Sequence, residues 1–509
     1  LAERMIEALH QIVAHCAEPG AGGRTPSDFP LARLDQATVD LLAGDGRSVE
    51  DIYPLTGLQA GMLFHSLVDT ESSAYLDQAC LRLSGVTEPN LLGVAWRRVV
   101  DRTPVLRSSM CWQDVPEPVQ IVHGVVALPV TYHDWQGDDW LTALLAADRA
   151  AGIDLAAAPL ARLAIVTPGR DGWEKALPDD DAVVVWTSHH LLLDGWSLGQ
   201  MFAEVCQEYA ALVDGRPGEP AARRPFRDFI GWLEDQDTER ATAYWRDVLA
   251  GFDSPTPLPF DRQPGADHRA ESAAAAEVDL SVVDTDRIRE LARQHGLTVN
   301  TVVQGAWALL LSRYGGGDDV VFGTTVSGRP ADLPGAESMI GMFINTVPTR
   351  AKLRPTDTVV DWLRALQADQ TEARRFDFVS VSQARACSDV PEGTNLFDSM
   401  IVFENYPFDE NAVLEAGLRV REVRARETTN FPLSARAHLD DQLHVHVAYD
   451  PALFDQSTVD RVAVHLTALL NGIAAGPDDR LAELPMLTPA EQHQLRTTWN
   501  GTETSAVTT

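Results

Sequence analysis

The run Ala182-Val183-Val184-Val185-Trp186-Thr187-Ser188-His189-His190-Leu191-Leu192-Leu193-Asp194-Gly195-Trp196-Ser197 decides how the chain is read. Its first five residues are apolar without interruption and rich in β-branched side chains, the mark of a strand buried on both faces. Past Ser197, the residues Leu198, Met201, Phe202, Val205, Tyr209 and Leu212 recur at helical spacing. Ser197 with Gln200 reads as an S-x-x-Q capping box for that helix, and Gly195 as the residue that permits the turn into it. A core strand therefore carries two imidazoles to its end, where a site can be held rigidly.

A histidine at such a place titrates near neutrality and can take a proton from an amine or a hydroxyl. Asp194 lies four residues beyond His190, close enough to order the loop or orient a ring. Buried there, its carboxylate demands a cationic partner. A lone histidine beside a strand is commonly no more than a satisfied core residue. Two adjacent histidines, with Asp-Gly after three more residues at a strand end, are less easily accidental.

Outward from this stretch, helix and strand alternate. Residues 59–67 and 91–101 are predicted as helices, and 75–83, 105–112 and 120–132 as strands. Residues 215–224 (GRPGEPAARR) are dense in breakers and charge and make the best internal boundary. Beyond them, 226–249 reads as helix and 255–276 as a loose segment ending in four alanines. A second series follows, with helices at 283–295, 299–314, 358–373 and 459–473 and strands at 320–325 and 443–449. The class is α/β or mixed α+β. Before the first series, 2–16 has a helical rhythm (Met5, Ile6, Leu9, Ile12, Val13), 18–30 reads as a linker and 31–42 as a helical patch.

The chain has 509 residues, 45% of them hydrophobic, enough for about three domains or two large lobes with flanking pieces. With 41 basic and 74 acidic side chains the net charge is −33, which argues against nucleic acid and against an anionic membrane surface. A uniform negative charge also does no more than keep a large protein soluble. The five cysteines (Cys16, Cys80, Cys111, Cys206, Cys387) are scattered and odd in number, which fits free thiols in a reducing cytoplasm. Leu1 in place of Met, with no export signal, suggests a piece of a longer polypeptide. His444 and His446 share one strand face as candidate metal ligands, but the sequence shows no third, and a polar strand face is the plainer reading. Gly315-Gly316-Gly317 lacks a phosphate-loop pattern, and no G-x-S-x-G elbow is present.

The segment His189 to Gly195 is H-H-x-x-x-D-G, and with it the chain resembles the condensation domains of nonribosomal peptide synthetases. Residues 52–65 (IYPLTGLQAGMLFH) resemble the opening motif of that family, and 102–110 (RTPVLRSSM) its R-H-x-x-L-R segment, with Thr103 in place of His. Residues 340–350 (IGMFINTVPTR) and 403–407 (FENYP) resemble signatures of the second lobe. The resemblance spans about 51–484. It implies a chloramphenicol-acetyltransferase-like fold of two related lobes in a V around a central tunnel. It divides the chain into an N-terminal linker at 1–50, a first lobe at 51–222, a second at 223–485, and at 486–509 a linker toward an adenylation domain.

The resemblance also implies an activity, amide-bond formation between substrates carried on the 4′-phosphopantetheine arms of partner carrier proteins. The amine of a carrier-bound acceptor attacks a carrier-bound donor thioester. An upstream donor carrier, a downstream acceptor carrier and an adjacent adenylation domain are the expected partners, with no metal and no directly bound cofactor. By position, His190 is the central residue, as general base or as positioner of the amine. His189 and Gly195 shape the loop, and Asp194 forms a structural salt bridge with Arg102 or Arg107. Trp196, Ser327, Arg329 and Asn345 are expected to line the tunnel.

Three other readings stand beside it. An epimerisation domain shares the motif but continues differently after Gly195 and would exchange an α-proton with deuterated water. A non-catalytic docking domain of the same fold would lack the second His or the Gly, and both are present. A free-standing acyl-CoA transferase would carry one His and a D-F-G-W-G motif, absent here. Residues 14–34 resemble the junction that follows an epimerisation domain, which leans toward a D-configured donor.

Overall fold

The computed structural model describes residues 2–16, 23–69, 74–168, 181–265, 268–404, 410–426 and 428–498. It falls into two compact units. The first comprises Leu1–Gln236, Arg329–Phe343 and Tyr406–Glu427, and the second Asp237–Gly328, Ile344–Asn405 and Thr428–Thr509. The first unit thus runs past the breaker-rich stretch at 215–224 and takes back two segments from the second half of the chain.

The strands, in chain order, are β1 (Val49–Pro54), β2 (Leu76–Ser84), β3 (Ser108–Cys111), β4 (Val119–His123), β5 (Val130–Asp134), β6 (Ala161–Thr167), β7 (Asp181–His189), β8 (Ala274–Asp279), β9 (Asp319–Val326), β10 (Asn345–Lys352), β11 (Ser399–Glu404), β12 (Arg419–Arg426), β13 (Leu433–Leu439) and β14 (Leu443–Tyr449). In the first unit a five-stranded sheet has the order β12-β2-β7-β6-β5, and a three-stranded sheet the order β1-β4-β3. The second unit holds one six-stranded sheet, β10-β9-β11-β13-β14-β8.

Strand β7 is at the centre of the five-stranded sheet, antiparallel to β2 on one side and β6 on the other. Every one of its nine residues is buried, which accounts for the unbroken apolar run. On one face Trp186 stacks on Trp96 of the helix Pro89–Arg102, with ring centroids 4.7 Å apart. Phe202 of the helix Gly195–Val213 also packs against Trp96, with the rings tilted and their centroids 6.4 Å apart. On the opposite face Val183 and Val185 pack with Leu141 of the helix Asp138–Ala150. Two buried layers hold this strand, so the residues at its end inherit a fixed position.

In the second unit the helix Val299–Gly315 is apolar on nearly all sides, and it packs with the helix Gln456–Ala475 over the sheet. Trp307, Leu310, Leu466 and Leu470 lie at the heart of that core.

Several expected elements differ from the observed ones. Residues 105–112 begin as a 3-10 turn, Pro104–Arg107, before the short β3. The expected strand 120–132 is two strands in different sheets, β4 and β5, parted by Gly124 and Pro129. The expected helix 226–249 is two, because Asp237 caps a fresh start by accepting from Arg240 N at 2.9 Å. The alanine run at 273–276, read as loose, enters β8, where backbone pairing to β14 supplies what its small side chains do not.

Candidate active site

At the end of β7 the backbone N–H of His189 donates to Leu160 O (3.0 Å) and that of His190 to Tyr75 O (2.8 Å). The chain then turns through Leu191, Leu192 and Leu193, all buried, and re-enters a helix at Gly195. The cap of this helix is Asp194 rather than Ser197: its Oδ1 accepts from Ser197 N at 2.7 Å. Gln200 does not close a capping box; its amide donates to Glu337 O. Gly195 is the first helical residue, a conformation open to any side chain, so glycine's extra freedom is not what makes this turn.

The two histidines are held in opposite ways. His189 is 5% exposed. Leu191 N–H donates to its Nδ1 at 3.2 Å, which assigns the ring proton to Nε2, and Nε2 lies 3.2 Å from Ser66 Oγ. The Ser66 hydroxyl donates onward to Met62 O. Burial pushes the His189 pKa down to about 4, against a smaller opposing pull from Asp77. Neutral, with both nitrogens engaged inside the fold, this ring is a fixture of the loop. His190 keeps about a fifth of its side chain exposed, and its Nδ1 lies 2.6 Å from Asp77 Oδ2 on β2. The ring N–H does not align with that oxygen as a hydrogen bond, so the contact is electrostatic; a carboxylate so near Nδ1 favours the ring proton on that side and the lone pair on Nε2.

The cation that Asp194 demands is Arg329, not Arg102 or Arg107. Arg329 Nη2 lies 3.2 Å from Asp194 Oδ1, with both side chains almost wholly buried. Asp194 Oδ2 also accepts from Phe343 N at 3.1 Å. The same guanidinium donates to Ser197 Oγ (2.8 Å) and to the carbonyls of Ala336 and Met339, and stands 4.0 Å from the centroid of the Phe343 ring. Ser197 Oγ in turn donates to Gly341 O. The segment Arg329–Phe343 is thereby tied to the loop after β7. Arg102 lies elsewhere, bridging Glu204 and Glu208 at 2.6 Å each. Arg107 pairs with Glu50 at 2.8 Å and donates to the carbonyls of His123 and Gly124. Both cations spend their charge on other carboxylates.

Trp196 is half-buried, its indole N–H donating to Glu337 O at 3.1 Å, with Arg329 over its ring. Ser327 is exposed, and Asn345 is buried in the second unit, donating to the carbonyls of Asp377 and Val379. Residues 405–407 of the FENYP segment lie outside the described residues. Sequence reading assigned no role to Asp77 or to Gln59. Gln59, fully buried, donates to Leu191 O at 2.8 Å and returns its carbonyl to Thr56 N, so the helix Gly57–Val68 grips the loop from below. The Thr56-x-x-Gln59 capping box was the available signal. Four of the cysteines, Cys80, Cys111, Cys206 and Cys387, are free thiols. No helix among the described residues is long and apolar enough to cross a membrane.

The family model described as "Condensation domain" matches residues 49–496. One of the proteins that make up the linear gramicidin synthase of Brevibacillus parabrevis is 40% identical over 509 residues, covering 99% of this chain and 10% of that protein. The chain thus spans about a tenth of the length of this relative. Among solved structures, the X-domain from teicoplanin biosynthesis is 26% identical with a TM-score of 0.71, over 85% of this chain and 97% of that one. The first condensation domain of the calcium-dependent antibiotic synthetase, in complex with a substrate analogue, is 20% identical with a TM-score of 0.70, over 86% of this chain and 99% of that one; that likeness is one of fold.

Proposed function

The chain belongs to the condensation-domain family of nonribosomal peptide synthetases, and from that premise we propose that it joins a carrier-bound donor acyl group to the amine of a carrier-bound acceptor. The fold is the mixed α/β, chloramphenicol-acetyltransferase-like one of that family. The observation that carries the catalytic reading is the asymmetry of the two histidines. His189 is closed on both nitrogens, whereas His190 is partly exposed and has the Asp77 carboxylate 2.6 Å from Nδ1.

In this reading the acceptor amine attacks the donor thioester carbonyl carbon and a C–N bond forms. His190 Nε2 takes the proton the amine sheds as its lone pair is committed. Collapse of the tetrahedral adduct breaks the C–S bond, and the proton passes to the departing sulfur. The donor arm leaves as a free thiol, and the lengthened chain stays on the acceptor arm. Asp77 holds the imidazole in the tautomer that accepts at Nε2 and stabilises the imidazolium that forms. Asp194 and Arg329 touch neither ring; they fix the loop that presents His190, so they are positioning residues.

The partners in this reading are a donor and an acceptor carrier protein, each bearing a phosphopantetheine arm, with an adenylation domain adjoining. The experiment loads a donor carrier with a short peptidyl thioester and an acceptor carrier with an amino acid, and weighs the intact acceptor after the chain is added. A donor-sized mass gain that requires the acceptor's amine supports the proposal; no gain with any donor overturns it. A docking role has one observation in its favour, the likeness to an X-domain whose structure has also been determined in complex with OxyB. Carrier binding without transfer would favour that role.

A further inference from the structure

Strands β13 and β14 form a hairpin at whose closed end His438 stands directly opposite His444. The two imidazoles stack with centroids 4.6 Å apart and planes within 13°. Asp440, in the connecting turn, brings a carboxylate oxygen to 3.2 Å from His444 Nε2. One ligand atom from each of His438, Asp440 and His444 lies within 4.8 Å of the other two, on the solvent side of the hairpin. On the neighbouring edge strand β8, Asp279 pairs in register with His444, and its Oδ1 is 2.6 Å from His444 Nδ1.

We propose that His438, Asp440 and His444 form a site for a divalent transition-metal ion of the zinc class, with Asp279 as its outer support. Two imidazole nitrogens and a carboxylate oxygen are a donor set that suits Zn2+, with the fourth position left to water. Donors bound at about 2.0 Å in a tetrahedron stand about 3.3 Å apart. Side-chain rotation of the exposed His438 and Asp440 therefore closes the set without moving the strands. Asp279 does for His444 what an outer carboxylate commonly does for a metal-bound histidine: it engages Nδ1 and leaves Nε2 to ligate.

The pair suggested by strand periodicity, His444 with His446, is not the site. The row of His446 places Arg436 on one side and Glu277 on the other, and burial and the nearby Arg436 lower the His446 pKa. The third ligand comes from across the hairpin, which linear spacing does not reveal. A metal held here would clip the β13–β14 hairpin and, through Asp279, the edge strand β8.

The test is calorimetric titration of ZnCl2 into the untagged 509-residue chain after chelator treatment, with Co2+ as an optical probe of coordination. The expected result is one Zn2+ per chain at micromolar affinity, together with a visible Co2+ band and a rise in Tm on adding Zn2+. His438→Ala and His444→Ala each weaken binding at least tenfold and abolish the band. Asp279→Asn weakens it about 10–100-fold, and His446→Ala leaves it unchanged. Absence of binding at 100-fold excess of metal, or binding that survives both His438→Ala and His444→Ala, overturns the proposal. Far-UV circular dichroism of each variant separates loss of the site from loss of the fold.

Discussion

Substituting Asn for Asp194 removes the charge of that carboxylate and one of its two acceptor oxygens. The variant keeps the side-chain oxygen that caps the helix at Ser197 N, so the cap itself changes little. What disappears is the anion facing Arg329, whose side chain is 4% exposed, together with the acceptor that Phe343 N uses at Oδ2, where the amide of Asn presents a donor. Removing one partner of a buried pair costs about 3–5 kcal/mol, because the remaining charge is left without compensation. The carbonyls of Ala336 and Met339 and the hydroxyl of Ser197 still receive the guanidinium, which offsets the loss, while the Phe343 N–H left without its acceptor adds to it, so the expectation stays within about 3–5 kcal/mol. Replacing Arg329 by Gln as well removes the stranded charge. The double variant Asp194→Asn/Arg329→Gln is therefore more stable than the sum of the singles predicts, by at least about 2 kcal/mol. The assay is urea unfolding followed by both fluorescence and circular dichroism, with the singles, the double, and Arg102→Gln combined with Asp194→Asn. Arg102 shares no partner with Asp194, so that combination is additive within about 0.5 kcal/mol. Coupling of Asp194 to Arg102 or Arg107, with none to Arg329, would refute the reasoning.

The remaining predictions concern the same loop. The folded-state pKa of His189, about 4, lies below its unfolded value of 6.5, so only the unfolded chain takes up this proton between those limits. Stability from this group is complete above pH 6.5 and is lost as pH falls toward 4, by on the order of 3 kcal/mol; His189→Gln flattens the urea midpoint over that window. Asp77→Asn slows transfer by about 10–100-fold, part of the total a general base supplies, while carrier affinity and Tm hold and Asp77→Glu restores part of the rate. Gly341→Ala drives a Cβ into the Phe226 ring, which Phe343 already confines. The overpacking costs about 1–3 kcal/mol and loosens the Arg329–Phe343 segment, read as a lower urea midpoint.

The strand that carries the site was legible because burial on both faces leaves a signature in composition: Val183, Val184, Val185 and Trp186 have no polar alternation to hide. The histidine pair was legible as a pair, but their division of labour was not. It depends on a backbone N–H at Leu191 and on hydroxyl and carboxylate groups from Ser66 and Asp77, more than a hundred residues away in the chain. Arg329 stands 135 residues from Asp194, and nothing in its own surroundings marks it as the partner. Arg102 and Arg107 were the expected cations because the family's motif order places them early. In the folded chain Glu204, Glu208 and Glu50 claim them first. The cap at Asp194 was within reach of the sequence, since Asp is itself a preferred N-cap residue before an apolar helix.

The central claim is that one imidazole acts and the other only holds the loop. Single-turnover transfer between loaded carriers, measured by intact mass for the unaltered chain and for His190→Ala, tests it most directly. The account predicts that the transfer rate falls by at least about 100-fold while Tm stays within a degree or two, because His190 is partly exposed and carries little of the core. A His190→Ala chain that transfers within threefold of the unaltered rate would contradict it.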